Sequence, residues 1–268
     1  MKSTKKILFL VTVALLLIAF GVSAFMVVKY MADSKKQEDL YNDLANIATQ
    51  TSSTAAQTKP ETTAGTEQTK PKDPTQATMI PGYAELYEKN PHMVGWLKIE
   101  GTKLNYPVLQ TPDEPNYYLY RDFEGKDSKA GAIYAREECD INKPSDNITL
   151  YGHNMANGSM FAALNNYTSK EYWEKNKMIF FDTLYEYHTY KIFAVFKTSA
   201  NIGEGFSYHQ FEDAANQQEF DEFVSTCKKL SFYDTGITPK YGDKLICLST
   251  CEYTLDNGRL VVAAVRIS

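Results

Sequence analysis

Read as hydrophobic and polar positions, the chain divides into three unlike stretches. Residues 7–28 are 22 consecutive residues without a charge, preceded by Lys2, Lys5 and Lys6 and followed by Lys29. A helix of about 20 apolar residues crosses a bilayer, whereas the apolar core of a secretory signal runs about 7–15 residues. The pattern therefore predicts an uncleaved anchor, although Val22-Ser23-Ala24 has the small-residue character of a cleavage step. Lysines before the span outnumber those just after it, which predicts the N-terminus inside the cell and the bulk of the chain outside. Tyr30 to about Asn46 is charged and extends the helix briefly. Ala48 to Ile80 is built of Thr, Gln, Ala, Lys and Pro, with no aromatic residue between Tyr41 and Tyr83. Such a segment buries too little apolar surface to offset its ordering entropy and reads as a flexible spacer. The expected organisation is a cytoplasmic tail (1–6), a transmembrane anchor (7–28), an extracellular spacer (29–80) and a globular domain (81–268).

The third stretch alternates. Tyr83 to Asn90 has helical spacing and stops at Pro91. From Val94 the period becomes two, with Trp96, Lys98 and Glu100 on one side and Leu97 and Ile99 on the other. Short strands follow at 132–135 and 148–151. Phe161 to Asn176 reads as two short helices broken near Tyr167-Thr168. Met178–Phe181 and Tyr187–Lys197 form a strand pair, and a helix within Phe211–Leu230 carries Phe220, Phe223, Val224 and Cys227 on one stripe. The last stretch is a hairpin: a strand from Lys244 to Thr250, a turn through Asp256-Asn257-Gly258, and a strand opening at Arg259. About eight strands with two or three inserted helices make the fold class mainly β, a closed or nearly closed barrel with α insertions.

Charge and composition narrow the chemistry. A net charge of −5 gives no basic field for nucleic acid. Four cysteines in 268 residues do not form a disulfide framework. Leu245, Cys247, Ser249 and Cys251 share one face of the last-but-one strand, so Cys247 and Cys251 lie about 13 Å apart. A zinc site using both is disfavoured, because its ligands converge within about 2.3 Å of the metal. No cofactor or metal is expected, and Cys139, Cys227 and Cys247 read as buried thiols. Cys251 sits at the mouth of its strand and Arg259 at the start of the next, which brings a thiol and a cation to one end of the sheet. A thiol nucleophile needs a base. Of the four histidines, His92, His188 and His209 read as structural. His153 follows a strand end in Tyr151-Gly152-His153-Asn154 and is the candidate. With ordinary pKa values an isolated pair would be jointly charged about 1% of the time at pH 7, so direct contact matters. Arg259 suits the oxyanion of an attacked carbonyl.

Leu248-Ser249-Thr250-Cys251 with Arg259 close behind, and Tyr151-Gly152-His153-Asn154 about a hundred residues earlier, resemble the sortase family. The likeness spans Tyr83 to Ser268. Gly152-His153-Asn154-Met155 followed by Ser159-Met160-Phe161, and the helical insert before the Cys strand, resemble class B members. The resemblance implies that Cys251 is the nucleophile, His153 the general acid/base and Arg259 the oxyanion or substrate-positioning residue. It also implies that Ser249, Thr250, Glu252 and Asn154 lie near the substrate. Ala263-Ala264 departs from the histidine or glycine that many members carry there. Asp73-Pro74 followed by Thr75 lacks the aromatic residue of the lid motif in pilus-building members. The family implies cleavage of a C-terminal sorting signal in secreted proteins, through a Cys thioester, with transfer to an amine of peptidoglycan or its precursor. Class B relatives imply an Asn-Pro or similar Pro-containing motif. Two other readings fit the residues: a surface cysteine peptidase using water as acceptor, and an inert tethered binding module.

Overall fold

A computed structural model of the chain describes residues 2–55, 78–201 and 203–268. The chain divides into two compact units, Met1–Asp43 and Leu44–Ser268. The first is helical, part of α1 (Lys2–Ala55). Its apolar side chains between Ile7 and Val28 stand exposed, Leu8 at 67% and Phe20 at 74%. Among the described residues this is the one helix long and apolar enough to cross a membrane. The helix runs to Ala55, beyond the Asn46 that the charge pattern suggested. In the second unit, Leu44 and Ala48 are buried, and the carbonyls of Ile47 and Ala48 abut Gly82 in α2 (Pro81–Lys89). A Cβ at Gly82 would lie 2.6 Å from the Ala48 oxygen. The helix thus continues past Asn46 where Leu44 and Ala48 are buried. The middle of the expected spacer, 56–77 with Asp73-Pro74, lies outside the described residues.

Eight strands close a barrel in the order β1-β2-β3-β4-β7-β8-β6-β5. They are β1 (Met93–Lys98), β2 (Asn105–Leu109), β3 (Ile133–Ala135), β4 (Asn147–Tyr151), β5 (Met178–Thr183), β6 (Thr189–Ser199), β7 (Leu245–Glu252) and β8 (Gly258–Arg266). Six pairings are antiparallel; β2–β3 and β4–β7 are parallel. A parallel pair needs a long crossover. The first crossover carries a 3-10 turn at Tyr117–Tyr120. The second, from β4 to β7, holds a 3-10 helix (Phe161–Thr168), α3 (Lys170–Lys175), β5, β6 and α4 (Gln217–Leu230). The two helices of 161–176 break at Ser169, whose side chain caps α3 by accepting from the Tyr172 amide.

The stripe of α4 packs as the spacing predicts: Phe220, Phe223, Val224 and Cys227 are buried with Leu245, Cys247, Val261 and Ala263 in one cluster. Trp96 departs from the alternation, which placed it beside Lys98 on the polar side. It is 4% exposed because Tyr83 of α2 stacks on it at 6.0 Å, so this face of β1 is covered rather than wet.

Candidate active site

The final hairpin fixes two of the three candidate groups. In the β7–β8 register Cys251 stands directly opposite Arg259, and directly opposed side chains lie about 4.5–5.5 Å apart at Cβ. Cys251 is half-buried, whereas Cys139, Cys227 and Cys247 are buried. Burial pushes the Cys139 thiol up to about 11, despite an amide hydrogen bond from Thr149 that works the other way. It raises Cys227 and Cys247 far above the ordinary thiol range as well. Those three stay protonated and enclosed, so Cys251 is the one cysteine with both access and a neighbouring cation.

The parallel β4–β7 pair delivers the third group. Tyr151 lies opposite Ser249, the Gly152 amide donates to the Ser249 carbonyl at 3.2 Å, and the Thr250 hydroxyl donates to the Gly152 carbonyl at 2.7 Å. Gly152 serves close approach more than a left-handed turn: a Cβ would come within 2.5 Å of Ile133 Cδ1 and 2.8 Å of Phe161 Cγ. His153, the next residue, is part-buried, with Nε2 at 2.8 Å from the Leu119 carbonyl. A carbonyl can only accept, so Nε2 carries a proton and Nδ1 is the ring nitrogen left to exchange one. The Tyr120 ring covers the imidazole at 5.4 Å. Behind this turn, the Asn90 amide donates to the Tyr118 hydroxyl (2.9 Å) and the Phe123 carbonyl (2.7 Å), and His92 Nδ1 also meets Tyr118 (2.8 Å). His92 is thereby structural, part of the brace that holds Leu119.

The Asn154 side chain joins the two halves of the site, donating to the Cys251 carbonyl at 3.1 Å, and is itself held by Asn165 Nδ2 at 2.8 Å. Ser249 is 1% exposed, with its hydroxyl 2.5 Å from the Tyr208 hydroxyl. Thr250 is tied to Gly152, as above. The Glu252 carboxylate is turned into its own hairpin, accepting from Lys197 Nζ at 2.7 Å and from the amides of Thr254 and Leu255. Ser249, Thr250 and Glu252 thus brace the strand around Cys251 from inside. Tyr134 is buried beside Tyr151 and lies in electrostatic reach of both Cys251 and Arg259. Burial foremost, then Tyr151, raises its phenol well above the usual range, so it remains a donor, to Asn116 Oδ1 at 3.0 Å. Sequence reasoning missed Leu119, Tyr120, Tyr134 and Tyr208. The first acts through a backbone carbonyl, which no side-chain pattern marks. The tyrosines were indistinguishable from core aromatics until the crossovers were closed.

A closed eight-stranded barrel with a half-exposed thiol opposite an arginine, and a carbonyl-oriented histidine on the neighbouring parallel strand end, is an arrangement that can support thiol-based acyl transfer. The family model described as the sortase domain matches residues 97–267. Sortase B of Staphylococcus aureus is 32% identical over 191 residues, 70% of this chain and 76% of its own. Sortase B of Listeria monocytogenes is 31% identical over 181 residues, 66% and 71% of the two chains. A solved S. aureus sortase B–substrate complex superposes with a TM-score of 0.74 at 27% identity, covering 88% of this chain and 99% of that one. The chain belongs to the sortase family, cysteine transpeptidases that act on sorting signals. Within it, sequence and barrel alike align with class B sortases.

Proposed function

We propose that the chain is a membrane-anchored transpeptidase that joins secreted proteins to the cell wall. The apolar helix between Ile7 and Val28 anchors it, Met1 to Lys6 lie in the cytoplasm, and residues 29–80 lead to a catalytic barrel on the outer side. The observation that carries the reading is the convergence of Cys251, paired across strands with Arg259, and the His153 loop tied to the Cys251 carbonyl by Asn154. The thiolate of Cys251 attacks the carbonyl carbon of the scissile bond in a C-terminal sorting signal. Arg259 neutralises the oxyanion that forms. The bond to nitrogen breaks, the departing amine takes a proton from His153, and the acyl group remains as a thioester. A peptidoglycan amine then attacks the thioester, gives a proton to His153, and Cys251 leaves as thiolate. One peptide bond is broken and one formed, and no water is consumed. Ser249, Thr250, Glu252 and Asn154 keep the backbone around the nucleophile in place for an extended substrate.

The test incubates the intact chain in detergent with Pro-containing pentapeptides, Asn-Pro types first, with and without triglycine. Intact-mass spectrometry follows the protein. A mass increase equal to the N-terminal peptide fragment, absent in Cys251→Ala, and a triglycine-linked product are expected. Cleavage that ignores triglycine would assign water as the acceptor. A wild-type chain that forms no adduct and cleaves no peptide would overturn the reading.

A further inference from the structure

The β7–β8 turn contains a polar chain that the mechanism above does not use. Arg259 Nη1 donates to Asn257 Oδ1 at 3.0 Å, and to the carbonyls of Asn257 at 3.2 Å and Gly258 at 3.0 Å. Asn257 Nδ2 donates to Asn201 Oδ1 at 3.2 Å. Asn201 Nδ2 donates in turn to Asp256 Oδ2 at 3.0 Å and Glu204 Oε2 at 2.8 Å. A second tie runs alongside: the Ser199 hydroxyl donates to the Asp256 carbonyl at 3.0 Å and the Ala200 amide to the Asn257 carbonyl at 3.0 Å.

Chemistry permits one orientation of this chain. Guanidinium only donates and carboxylate only accepts. Asn257 must therefore turn its oxygen to Arg259, which leaves its nitrogen for the Asn201 oxygen, which leaves the Asn201 nitrogen for the two carboxylates. Flipping either amide would set donor against donor at one end and acceptor against acceptor at the other. The chain is thus a directed relay with a cation at one end and anions at the other, and its bonds to charged groups are the stronger kind. Asn257 occupies the left-handed region at φ 47°, which Asn and Gly tolerate better than other residues. Among the described residues, no hydrogen-bond partner holds Nε or Nη2 of Arg259. The guanidinium is pinned at one corner through Nη1, which leaves Nε and Nη2 as its uncommitted donors.

We propose that Asn257 is a positioning residue for Arg259, and that Asn201 extends this control to the loop following β6. The relay selects the edge of the guanidinium that meets the developing oxyanion. The inference rests on the proposed role of Arg259, and the experiment separates the two.

Cys251 of the intact chain in detergent is alkylated with iodoacetate and with iodoacetamide, and the ratio of the two rates is recorded. The anionic reagent senses where the guanidinium lies and the neutral one corrects for thiol reactivity, so a merely structural role leaves the ratio unmoved. Arg259→Gln is expected to lower the ratio about tenfold, and Asn257→Gly about threefold, by loss of local steering. Gly retains the left-handed backbone, so Asn257→Gly removes only the side chain. In the Arg259→Gln background, Asn257→Gly is expected to have no further effect. Asn201→Ala, which replaces no residue of the turn but removes its bonds to Asp256 and Asn257, is expected to move the ratio in the same direction by less. If Arg259→Gln lowers the ratio while Asn257→Gly and Asn201→Ala do not, the relay does not position Arg259 and the inference fails. If Arg259→Gln leaves the ratio unchanged, the assigned role of Arg259 fails first, and the inference with it. An undiminished effect of Asn257→Gly in the Arg259→Gln background also overturns it, since Asn257 would then act by another route.

Discussion

Glu252 follows Cys251 directly, and its carboxylate serves the hairpin. Its side chain is 7% exposed and is paired with Lys197 Nζ at 2.7 Å. Burial alone would raise its pKa, but the hydrogen bonds from Lys197 and Thr254, with the charge of Lys197, outweigh that and push it down from an ordinary 4.5 to about 2. A carboxyl depressed in the folded state stabilises the fold above its unfolded pKa, and the contribution is lost as pH falls from about 4.5 towards about 2. At about 1.4 kcal/mol per tenfold shift in equilibrium, the ceiling is about 3 kcal/mol. Lys197 is partly solvated, its side chain 28% exposed, and screening of such pairs brings the expectation to about 1–2 kcal/mol. Glu252→Gln keeps the shape and removes the charge. At pH 7 it should lower the thermal midpoint of the catalytic unit by about 2–8 °C, at about 2–4 °C per kcal/mol for a unit of this size. The assay is thermal unfolding followed by tryptophan fluorescence from pH 2 to 7, on wild type and variant side by side. The gap should be full above pH 5 and close towards pH 2, because protonation removes from the wild type what the substitution removed from the variant. A gap that stays constant across that range, or no gap at pH 7, would refute the anchoring argument and return Glu252 to a direct role with substrate.

Two further outcomes are expected. A neutral maleimide at pH 7 should label one cysteine in the native chain, Cys251, and four in denaturant, as peptide mapping would show; native labelling of Cys139, Cys227 or Cys247 would contradict their burial. Gly131 has φ 58°, and a Cβ there would sit 2.4 Å from the Leu119 oxygen that orients His153. Gly131→Ala should therefore cost about 1–2 kcal/mol in backbone strain and, by displacing that carbonyl, lower kcat/KM for peptide cleavage about tenfold. Unchanged kcat/KM would mean that His153 does not depend on the Leu119 carbonyl.

What could be read from the sequence is what local pattern encodes. The alternation of Leu245 to Cys251 and the Asp256-Asn257-Gly258 turn bring Cys251 and Arg259 to one end of the sheet, the register completes the pairing, and the stripe of Phe220, Phe223, Val224 and Cys227 marks the buried side of α4. His153 was marked by its position after a strand end, but its distance from Cys251 was not, because the β4–β7 pairing is parallel and its partners are about a hundred residues apart. The same holds for Trp96, whose burial depends on α2, and for the turn at Tyr117–Tyr120, whose contribution is a carbonyl. Ser249, Thr250 and Glu252 could be located near Cys251 from their neighbourhood in the chain. The direction each polar group faces depends on Tyr208, Gly152 and Lys197, all supplied by distant segments.

The long reach of that parallel pairing bears on when the enzyme becomes dangerous. Cys251 and Arg259 meet as soon as a local hairpin forms, but His153 arrives only when the crossover carrying α3, β5, β6 and α4 has been laid down and the barrel shut. Non-local pairings of this kind form late, since the entropy of closing the loop precedes the contacts that reward it. In a chain whose barrel has not yet closed, Cys251 and His153 therefore stay apart. The meeting of thiol and candidate base arrives with completion of the fold, which spares the unfinished chain from its own reactivity.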